Sequence, residues 1–272
     1  MGIVTQNTAF SSSKPRPAFQ NTSVKKSDLD KRLNPVKPEI KHIKTNIPSL
    51  DAHLGGGLSP GLSIVWGEAG TGKSLLCHQL AINHPGRVLY FTCEVLNDSP
   101  DHNKYPHVDT VDYTTYRPKY DKAVEQLLAA IQFYSPGLII IDSLTSFLGV
   151  TNKAISEASI RDAVWSIHLK TERACPIVGI SEVRGTGYNR TTAGGEGVKH
   201  GCTMLMQTYK HFLSNERYLE GFPGHEIGDL VYTLEVQKDK HGVANPRPVE
   251  CRYDGESYEI MNRFEQDGTR HE

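Results

Sequence analysis

The chain has 272 residues with 30 Lys and Arg, 31 Asp and Glu and a formal net charge of −1, a length that allows one large hydrophobic core plus a tail. The sequence contains no run of about 18 apolar residues, the length needed to span a membrane, and residues 1–14 lack the apolar block of a secretory signal. We therefore expect a soluble protein that is cytoplasmic or nucleoid-associated. The five cysteines are scattered without a C-x-x-C pair, which indicates reduced core residues rather than a zinc site.

Basic residues are concentrated at the N-terminus. The first 44 residues hold nine Lys and Arg against three Asp and Glu, in a segment without helical or strand periodicity. We therefore expect residues 1–42 to be a disordered basic tail, residues 43–262 to be the folded domain and residues 263–272 to be a flexible polar end. The tail can attract nucleic acid or another anionic surface, or it can simply be solvated, and the sequence leaves both interpretations open.

The folded domain begins with elements that are bounded by glycine. From Ile43 the pattern predicts a loop, a short helix and a turn, followed by a buried strand in LSIVWGE, residues 62–68. A helix over residues 74–84 and a second buried strand over residues 87–94 come next. This second strand ends on the carboxylate of Glu94.

Helices and buried strands alternate through the middle of the chain. After a polar loop over residues 95–107, helical spacing over residues 122–134 precedes the apolar run PGLIIIDS, residues 136–143, which is typical of a central parallel strand. A helix over residues 157–174 and a strand over residues 176–183 continue this order. The alternation predicts an α/β fold with a mostly parallel central sheet flanked by helices.

The last third of the chain has a different pattern. Short alternating segments, separated by polar turns, predict strands over residues 202–209, 230–236, 248–253 and 256–261. We expect these strands to form an antiparallel C-terminal extension of the sheet.

The segment GEAGTGKS lies between a predicted buried strand and a predicted helix. Its glycines allow successive backbone N–H groups to bind phosphates at a helix N-terminus, Lys73 can contact the β- and γ-phosphates, and the Ser74 hydroxyl can ligate magnesium. The same pattern can occur by chance in a surface turn, but its place in the chain favours a P-loop that binds ATP and Mg²⁺. This P-loop comprises Gly67, Glu68, Ala69, Gly70, Thr71, Gly72, Lys73 and Ser74.

Two carboxylates end the predicted strands that follow the P-loop. Asp142, after the run LIII, can bond magnesium or a water on it, because ligands gather at the carboxyl ends of strands in open α/β sheets. Glu94 ends the preceding strand, where a base that orients the attacking water is expected. The alternatives are that Asp142 only caps a turn and that Glu94 is an ordinary surface glutamate.

These features together resemble one family. TNIPSLDAHLGGGLSPGLSIVWGEAGTGKS is similar to the start of the RecA/RadA/KaiC-like ATPase core, in which a Leu-Asp and a Leu-Gly-Gly-Gly, here Leu50-Asp51 and residues 54–57, precede the P-loop. The resemblance extends over residues 43–261 and aligns Glu94 with the family's catalytic glutamate and Asp142 with its second nucleotide motif. It implies a RecA-like core that binds and hydrolyses ATP with Mg²⁺.

The segment ISEVRGTGYNRTTAGGEGVKHGCTMLM resembles the strand, mobile loop and helix that recombinases of this family place on the axis of their oligomer. In those relatives the loop contacts single-stranded DNA. Arg184, Arg190 and Lys199 would neutralise phosphates here, and Tyr188 would supply a ring for base stacking. An ordinary surface loop also contains glycine and scattered basic residues, so this role is one of two interpretations.

The chain departs from the family where relatives carry a Gln or His that senses the γ-phosphate. Glu182 stands at that place, or Ser181 if the alignment shifts by one residue. A carboxylate beside phosphate is repelled unless magnesium or a lysine lies between them. We therefore expect Glu182 to line the nucleotide site and to alter phosphate sensing or slow the reaction.

LEVQKDKHG, residues 234–242, resembles the segment with which RecA- and KaiC-like subunits contact a neighbour's γ-phosphate. Lys238 and Lys240 occupy the positions of its two cations, and alternate residues of a strand share a face. A solvated pair of lysines at a strand end is the alternative. The resemblance implies a homo-oligomer, a ring or a filament, with ATP sites between its subunits.

Three functions are consistent with this sequence. The first is a RecA-superfamily ATPase that couples its oligomeric state to single-stranded DNA binding in recombination, repair or replication. The second is a KaiC-like regulatory ATPase or autokinase that acts through protein partners. The third is an assembly protein that binds ATP and scarcely hydrolyses it.

Overall fold

The strands that the structure describes form one mixed sheet. The computed structural model describes residues 41–93, 100–114, 120–148, 162–167, 169, 175–184, 191–193, 196–253 and 258–261, all within one compact unit. The strands are β1 (Gly61–Gly67), β2 (Val88–Thr92), β3 (Val108–Asp112), β4 (Leu138–Asp142), β5 (Pro176–Arg184), β6 (Thr191–Thr192), β7 (Met204–Phe212), β8 (Leu230–Asp239), β9 (Val249–Tyr253) and β10 (Tyr258–Met261). The helices are α1 (Pro48–His53), α2 (Lys73–Asn83), α3 (Tyr120–Tyr134), α4 (Leu144–Phe147), α5 (Glu196–His200) and α6 (Glu216–Leu219), and residues 162–167 and 169 are also helical.

The order of strands across the sheet is β10-β9-β8-β7-β1-β5-β4-β2-β3, and β6 pairs with β5. The pairs from β7 to β3 are parallel, whereas β7–β8, β8–β9 and β9–β10 are antiparallel. This confirms an α/β fold with a mostly parallel sheet and antiparallel C-terminal strands. One detail differs from the expectation, because β7 is parallel to β1 and the antiparallel part begins only at β8.

Strand β3 was not predicted from the sequence. Its residues are half-buried apart from a buried Val108 and an exposed Asp112, because it lies at the edge of the sheet and pairs only with β2 among the described strands. An edge strand carries polar side chains that also suit a loop, so the apolar pattern that marks the central strands is missing.

Helices cover both faces of the sheet. Leu76 and Leu80 of α2 pack with Ile140 and other residues on one face, while Leu127 of α3 packs with Ile139 on the opposite face. Successive residues of β4 therefore enter different cores, which is why its sequence is a continuous apolar run. None of the helices in the described part of the chain is long and apolar enough to cross a bilayer.

The parallel strands bring their carboxyl ends to one edge of the sheet. Gly67 at the end of β1 is in register with Glu182 of β5, and Thr92 of β2 is in register with Asp142 of β4. We call this the carboxyl edge of the sheet. It is the edge where ligands bind in open α/β sheets.

Candidate functional site

The P-loop turns from β1 into α2 at the carboxyl edge. Gly70 and Gly72 adopt left-handed φ angles of 71° and 86°, which non-glycine residues rarely adopt. Gly72 precedes α2 directly, and no side chain among the described residues caps that helix start. The first N–H groups of a helix lack partners within the helix, so they are available to bind an anion here.

Lys73 places its positive charge on this loop. Its Nζ donates to the carbonyl oxygens of Gly67 and Glu68, at 2.9 Å and 2.6 Å. The ammonium thus lies where the loop leaves the strand. An incoming phosphate would replace these carbonyl oxygens as the hydrogen-bond partner of the ammonium.

Strand β7 holds the P-loop from the side. The hydroxyl oxygens of Thr71 and Thr208 are 2.7 Å apart, and Thr71 also donates to the carbonyl of Glu68 at 2.8 Å. A Cβ on Gly67 would lie 2.5 Å from the carbonyl oxygen of Thr208, so only glycine fits beside this strand. Thr208 was not predicted from the sequence, because its contact with the P-loop depends on β7 being the neighbour of β1.

Asp142 of β4 accepts a hydrogen bond from a buried tyrosine of β2, the neighbouring strand in the sheet. The hydroxyl of Tyr90 donates to Oδ2 of Asp142 at 3.0 Å, and Tyr90 is 1% exposed. The Asp142 carboxylate and the Lys73 ammonium both act on one thiol, because the pKa of Cys77 is raised first by burial and then by Asp142, while Lys73 opposes the rise. Lys73 begins α2, and Asp142 ends β4, a strand that α2 contacts.

The oxygen groups at this edge fit magnesium. Ser74 lies in the first turn of α2, and α2 contacts β4, the strand that ends at Asp142. A hydroxyl and a carboxylate are ligands of the kind that Mg²⁺ prefers, with water completing the shell. Ser74 and Asp142 are the residues that would hold the ion.

Glu182 of β5 is in register with Gly67, the first residue of the P-loop. It pairs with Gly67 and its side chain is exposed, whereas Ser181 pairs with Trp66 and is buried. The backbone carbonyl of Glu182 accepts a bond from the N–H of Ala193 at 3.1 Å. Its contact with a nucleotide and its effect on phosphate sensing both stay predictions.

Several predicted residues lie outside the part of the chain that the structure describes. These are Glu94, Tyr188 and Arg190, and for Arg184 only the backbone, in β5, is described. Cys93, which precedes Glu94, donates its N–H to the carbonyl of Asp142 at 2.6 Å. Lys199 is half-buried in α5.

Lys238 of β8 pairs with Leu205 of β7, and Lys240 follows β8 beside the amino ends of β1 and β7, opposite to the P-loop. The N–H of Lys240 donates to Thr203 at 2.9 Å, and the N–H of Thr203 donates to Leu62 at 2.7 Å. Leu62 precedes Gly67 by five positions of an extended strand, a separation of roughly 17 Å. Within one chain, the two lysines and the P-loop therefore belong to different sites.

A cavity of about 410 Å³ adjoins the P-loop on its β7 side. Its walls combine the loop backbone with three tyrosines from the antiparallel strands. Its lining residues are Gly70, Thr71, Gly72, Leu75, Thr208, Tyr232, Thr233, Cys251, Tyr253 and Tyr258. This cavity was not predicted from the sequence, because only the strand order brings the tyrosines, which are far apart in the chain, to the P-loop.

Comparison with known proteins gives one partial match at the family level. No family model matches the chain. The chain is 29% identical over 149 residues to "DNA repair and recombination protein RadA" of Methanoculleus marisnigri, a match that covers 43% of this chain and 44% of that protein. The chain thus spans less than half the length of this relative. The similarity suggests a RecA-like family and is too partial to identify a member.

Proposed function

We propose that this chain binds ATP with Mg²⁺ at the P-loop and hydrolyses it as a RecA-superfamily ATPase. The observation that carries the proposal is the Lys73 ammonium on a loop between a buried strand and a helix start, at the edge where Asp142 also ends its strand. The similarity to RadA supports the same assignment.

The nucleotide lies across the P-loop in this proposal. Its phosphates accept hydrogen bonds from the N–H groups at the start of α2 and from Lys73. Its base enters the adjoining cavity, where the rings of Tyr232 and Tyr253 provide flat apolar surface. The left-handed glycines allow the backbone to approach the phosphates closely.

Ser74 and Asp142 would hold the magnesium ion, which supplies charge neutralisation of the phosphates when it is bound. Tyr90 orients the Asp142 carboxylate through its 3.0 Å hydrogen bond. Glu94 acts as the base that orients the attacking water. Glu182 faces the same edge and reduces the affinity for the γ-phosphate unless a cation lies between them.

Hydrolysis in this proposal requires a second copy of the chain. Lys238 and Lys240 lie at the edge opposite the P-loop, so their segment can serve only the nucleotide of a neighbour. A contact between two different surfaces of identical subunits is heterologous, and it produces a ring if it closes or a filament if it does not.

We assign the assembly to single-stranded DNA. The support is the similarity to RadA, a protein named for DNA repair and recombination. The segment with Arg184, Tyr188, Arg190 and Lys199 supplies cations and one aromatic ring, the groups that bind a nucleic-acid backbone and stack on bases.

The test of nucleotide binding compares the chain with Lys73→Ala and with the control Lys122→Ala. Lys122 is an exposed lysine of α3 that pairs with Glu125 at 2.8 Å, away from the P-loop. We expect Lys73→Ala to weaken binding of a fluorescent ATP analogue by about 100-fold and Lys122→Ala to leave binding unchanged. Equal binding by all three proteins would reject the ATP site.

The test of DNA coupling measures the ATPase rate with and without single-stranded DNA at two salt concentrations. We expect DNA to raise the rate and the effect to weaken as salt increases. An ATPase rate that does not change with DNA, together with covalently bound phosphate on the chain after incubation with ATP, would favour the KaiC-like autokinase instead.

A further inference from the structure

A second cavity lies where the start of α1, the last turns of α2 and the edge strand β10 meet. Its volume is about 490 Å³, which falls within the roughly 300–1,000 Å³ of small-molecule sites. None of the described residues that line it belongs to the P-loop. Its most polar wall consists of three side-chain amides, those of Asn46, Gln79 and Asn83.

The three amides are linked by hydrogen bonds that do not use all of their polar atoms. Nδ2 of Asn83 donates to Oε1 of Gln79 at 3.2 Å and to the Gln79 backbone carbonyl at 2.9 Å. Asn46 has a left-handed φ of 60°, and its Nδ2 donates to the carbonyl of Asn83 at 2.9 Å. Nε2 of Gln79 and the Oδ1 atoms of Asn46 and Asn83 make no hydrogen bond with the residues that the structure describes. One donor and two acceptors are therefore available to a ligand.

The burial of Gln79 makes its donor informative. The side chain lines the cavity and is only 3% exposed. Folded proteins satisfy nearly all buried donors, because an amide that leaves water without a new partner is unfavourable. A ligand in the cavity would supply the partner that Nε2 lacks within the described part of the chain.

The remaining walls suit a flat, uncharged ring rather than an anion. Among the described lining residues only Glu259 is charged, and its exposed carboxylate repels phosphate. Ile47, Pro48 and Tyr258 supply apolar surface.

The amide wall matches the edge of adenine better than that of guanine. Adenine carries an amino donor beside a ring-nitrogen acceptor, a pair that Asn and Gln amides bind. Guanine presents two acceptors at the same edge. The hydrogen bond between Asn83 and Gln79 keeps the free acceptor of one close to the free donor of the other, as the adenine edge requires.

We propose that this cavity binds a free adenine nucleoside. Nε2 of Gln79 donates to a ring nitrogen of the base, and Oδ1 of Asn83 accepts a bond from its amino group. The assignment goes beyond the proposed function and does not require it, because none of these contacts involves the P-loop. Tyr258 lines both this cavity and the one beside the P-loop, so the test has to separate the two.

The test measures binding of adenosine to the full chain by calorimetry, with and without a saturating non-hydrolysable ATP analogue and Mg²⁺. We expect one adenosine to bind with a Kd on the order of 100 µM while the analogue is present. Guanosine should bind about tenfold more weakly.

Two variants locate the bound adenosine. Gln79→Met keeps the length of the side chain and removes its donor, and Asn83→Leu removes the acceptor independently. We expect each to weaken adenosine binding by about tenfold. Asn103→Ala, at an exposed asparagine between β2 and β3, is the control that leaves binding unchanged. Thermal unfolding checks that each variant is folded.

Three results would overturn the proposal. Absence of adenosine binding at millimolar concentration would show that the cavity holds only water. Binding that disappears when the ATP analogue is present would place adenosine beside the P-loop, and binding that neither variant weakens would place it elsewhere. Failure of the proposed function is distinguishable, because the ATP analogue itself would then not bind, while the two variants still decide the adenosine site.

Discussion

At the scale of single residues, the environment of Asp142 depends on a side chain from a different strand. Tyr90 is a buried residue of β2. Its ring lies edge-on to the ring of His78 in helix α2, with centroids 5.4 Å apart. From there its hydroxyl donates to Oδ2 of Asp142. Groups that hydrogen-bond a metal-binding carboxylate fix its orientation, so Tyr90 is expected to set the affinity for magnesium.

We predict that Tyr90→Phe raises the magnesium concentration needed for half-maximal ATPase activity by roughly tenfold. It should also lower the free energy of unfolding by about 1 kcal/mol, because one buried hydrogen bond is lost while the ring keeps its packing. A magnesium titration and urea unfolding measure the two effects. Tyr134→Phe, at a half-exposed position on α3, is the control, and identical magnesium dependence in all proteins would contradict the prediction.

At the scale of elements, a cluster of charged side chains ties the β7–β8 connection to β9. The two ring nitrogens of His225 face Oδ2 of Asp229 at 3.1 Å and Oε1 of Glu250 at 3.0 Å, and Nε of Arg252 donates to the same Oε1 at 2.6 Å. Glu250 is 4% exposed. Burial alone would raise the pKa of Glu250, but the hydrogen bonds from Arg252 and His225 outweigh it and the pKa is lowered.

We predict that Glu250→Gln reduces the dependence of stability on pH in the acid range. A carboxyl whose pKa is lower in the folded state stabilises the fold above its unfolded pKa, and this contribution is lost as pH falls through the folded pKa. The free energy of unfolding should therefore fall less in the variant than in the wild type between pH 7 and about pH 3. Urea unfolding across this range measures it.

The control for this prediction is Glu125→Gln. Glu125 is an exposed carboxylate on α3 in an i,i+3 pair with Lys122, so its neutralisation should change stability very little. An acid-range slope that is equal in the wild type, the control and Glu250→Gln would contradict the role of the cluster.

At the scale of the whole molecule, the two halves of the proposed ATP site lie at opposite ends of the parallel strands. The P-loop is at their carboxyl ends and Lys240 is at their amino ends. The P-loop ends β1, while Lys240 is bonded to Thr203, beside the start of β1. A rigid sheet cannot bring these two ends together, so the proposed function requires two copies to meet head to tail.

We predict that mixing two inactive variants restores ATPase activity. Lys240→Met keeps the P-loop and Lys73→Ala keeps Lys240, so about a quarter of the interfaces in an equal mixture combine an intact P-loop with an intact lysine. The ATPase rate of the mixture measures this. The control is a mixture of Lys73→Ala with the double variant Lys73→Ala/Lys240→Met, which has no intact interface. A mixture of the two single variants that is no more active than its components would contradict the shared site.

The sequence was sufficient for the local features of this protein. The apolar runs predicted β1, β2, β4 and β5 to within a few residues, because strands buried on both faces are apolar throughout. The spacing of glycines, Lys73 and Ser74 predicted a loop between a strand and a helix, since positive φ angles and helix starts depend on neighbouring residues. The polar edge strand β3 was missed, because it has no such pattern.

The tertiary structure decided which distant residues meet. The order β1-β7-β8-β9-β10 brings Thr208 and the cavity tyrosines to the P-loop, and the fold of α5 onto β8 directs Lys238 to carbonyls of its own chain. Hydrophobic periodicity records how each strand is buried but not which strand lies beside it. The sequence by itself thus determined the glycine-rich loop between β1 and α2, and only the packing of the sheet decided what surrounds it.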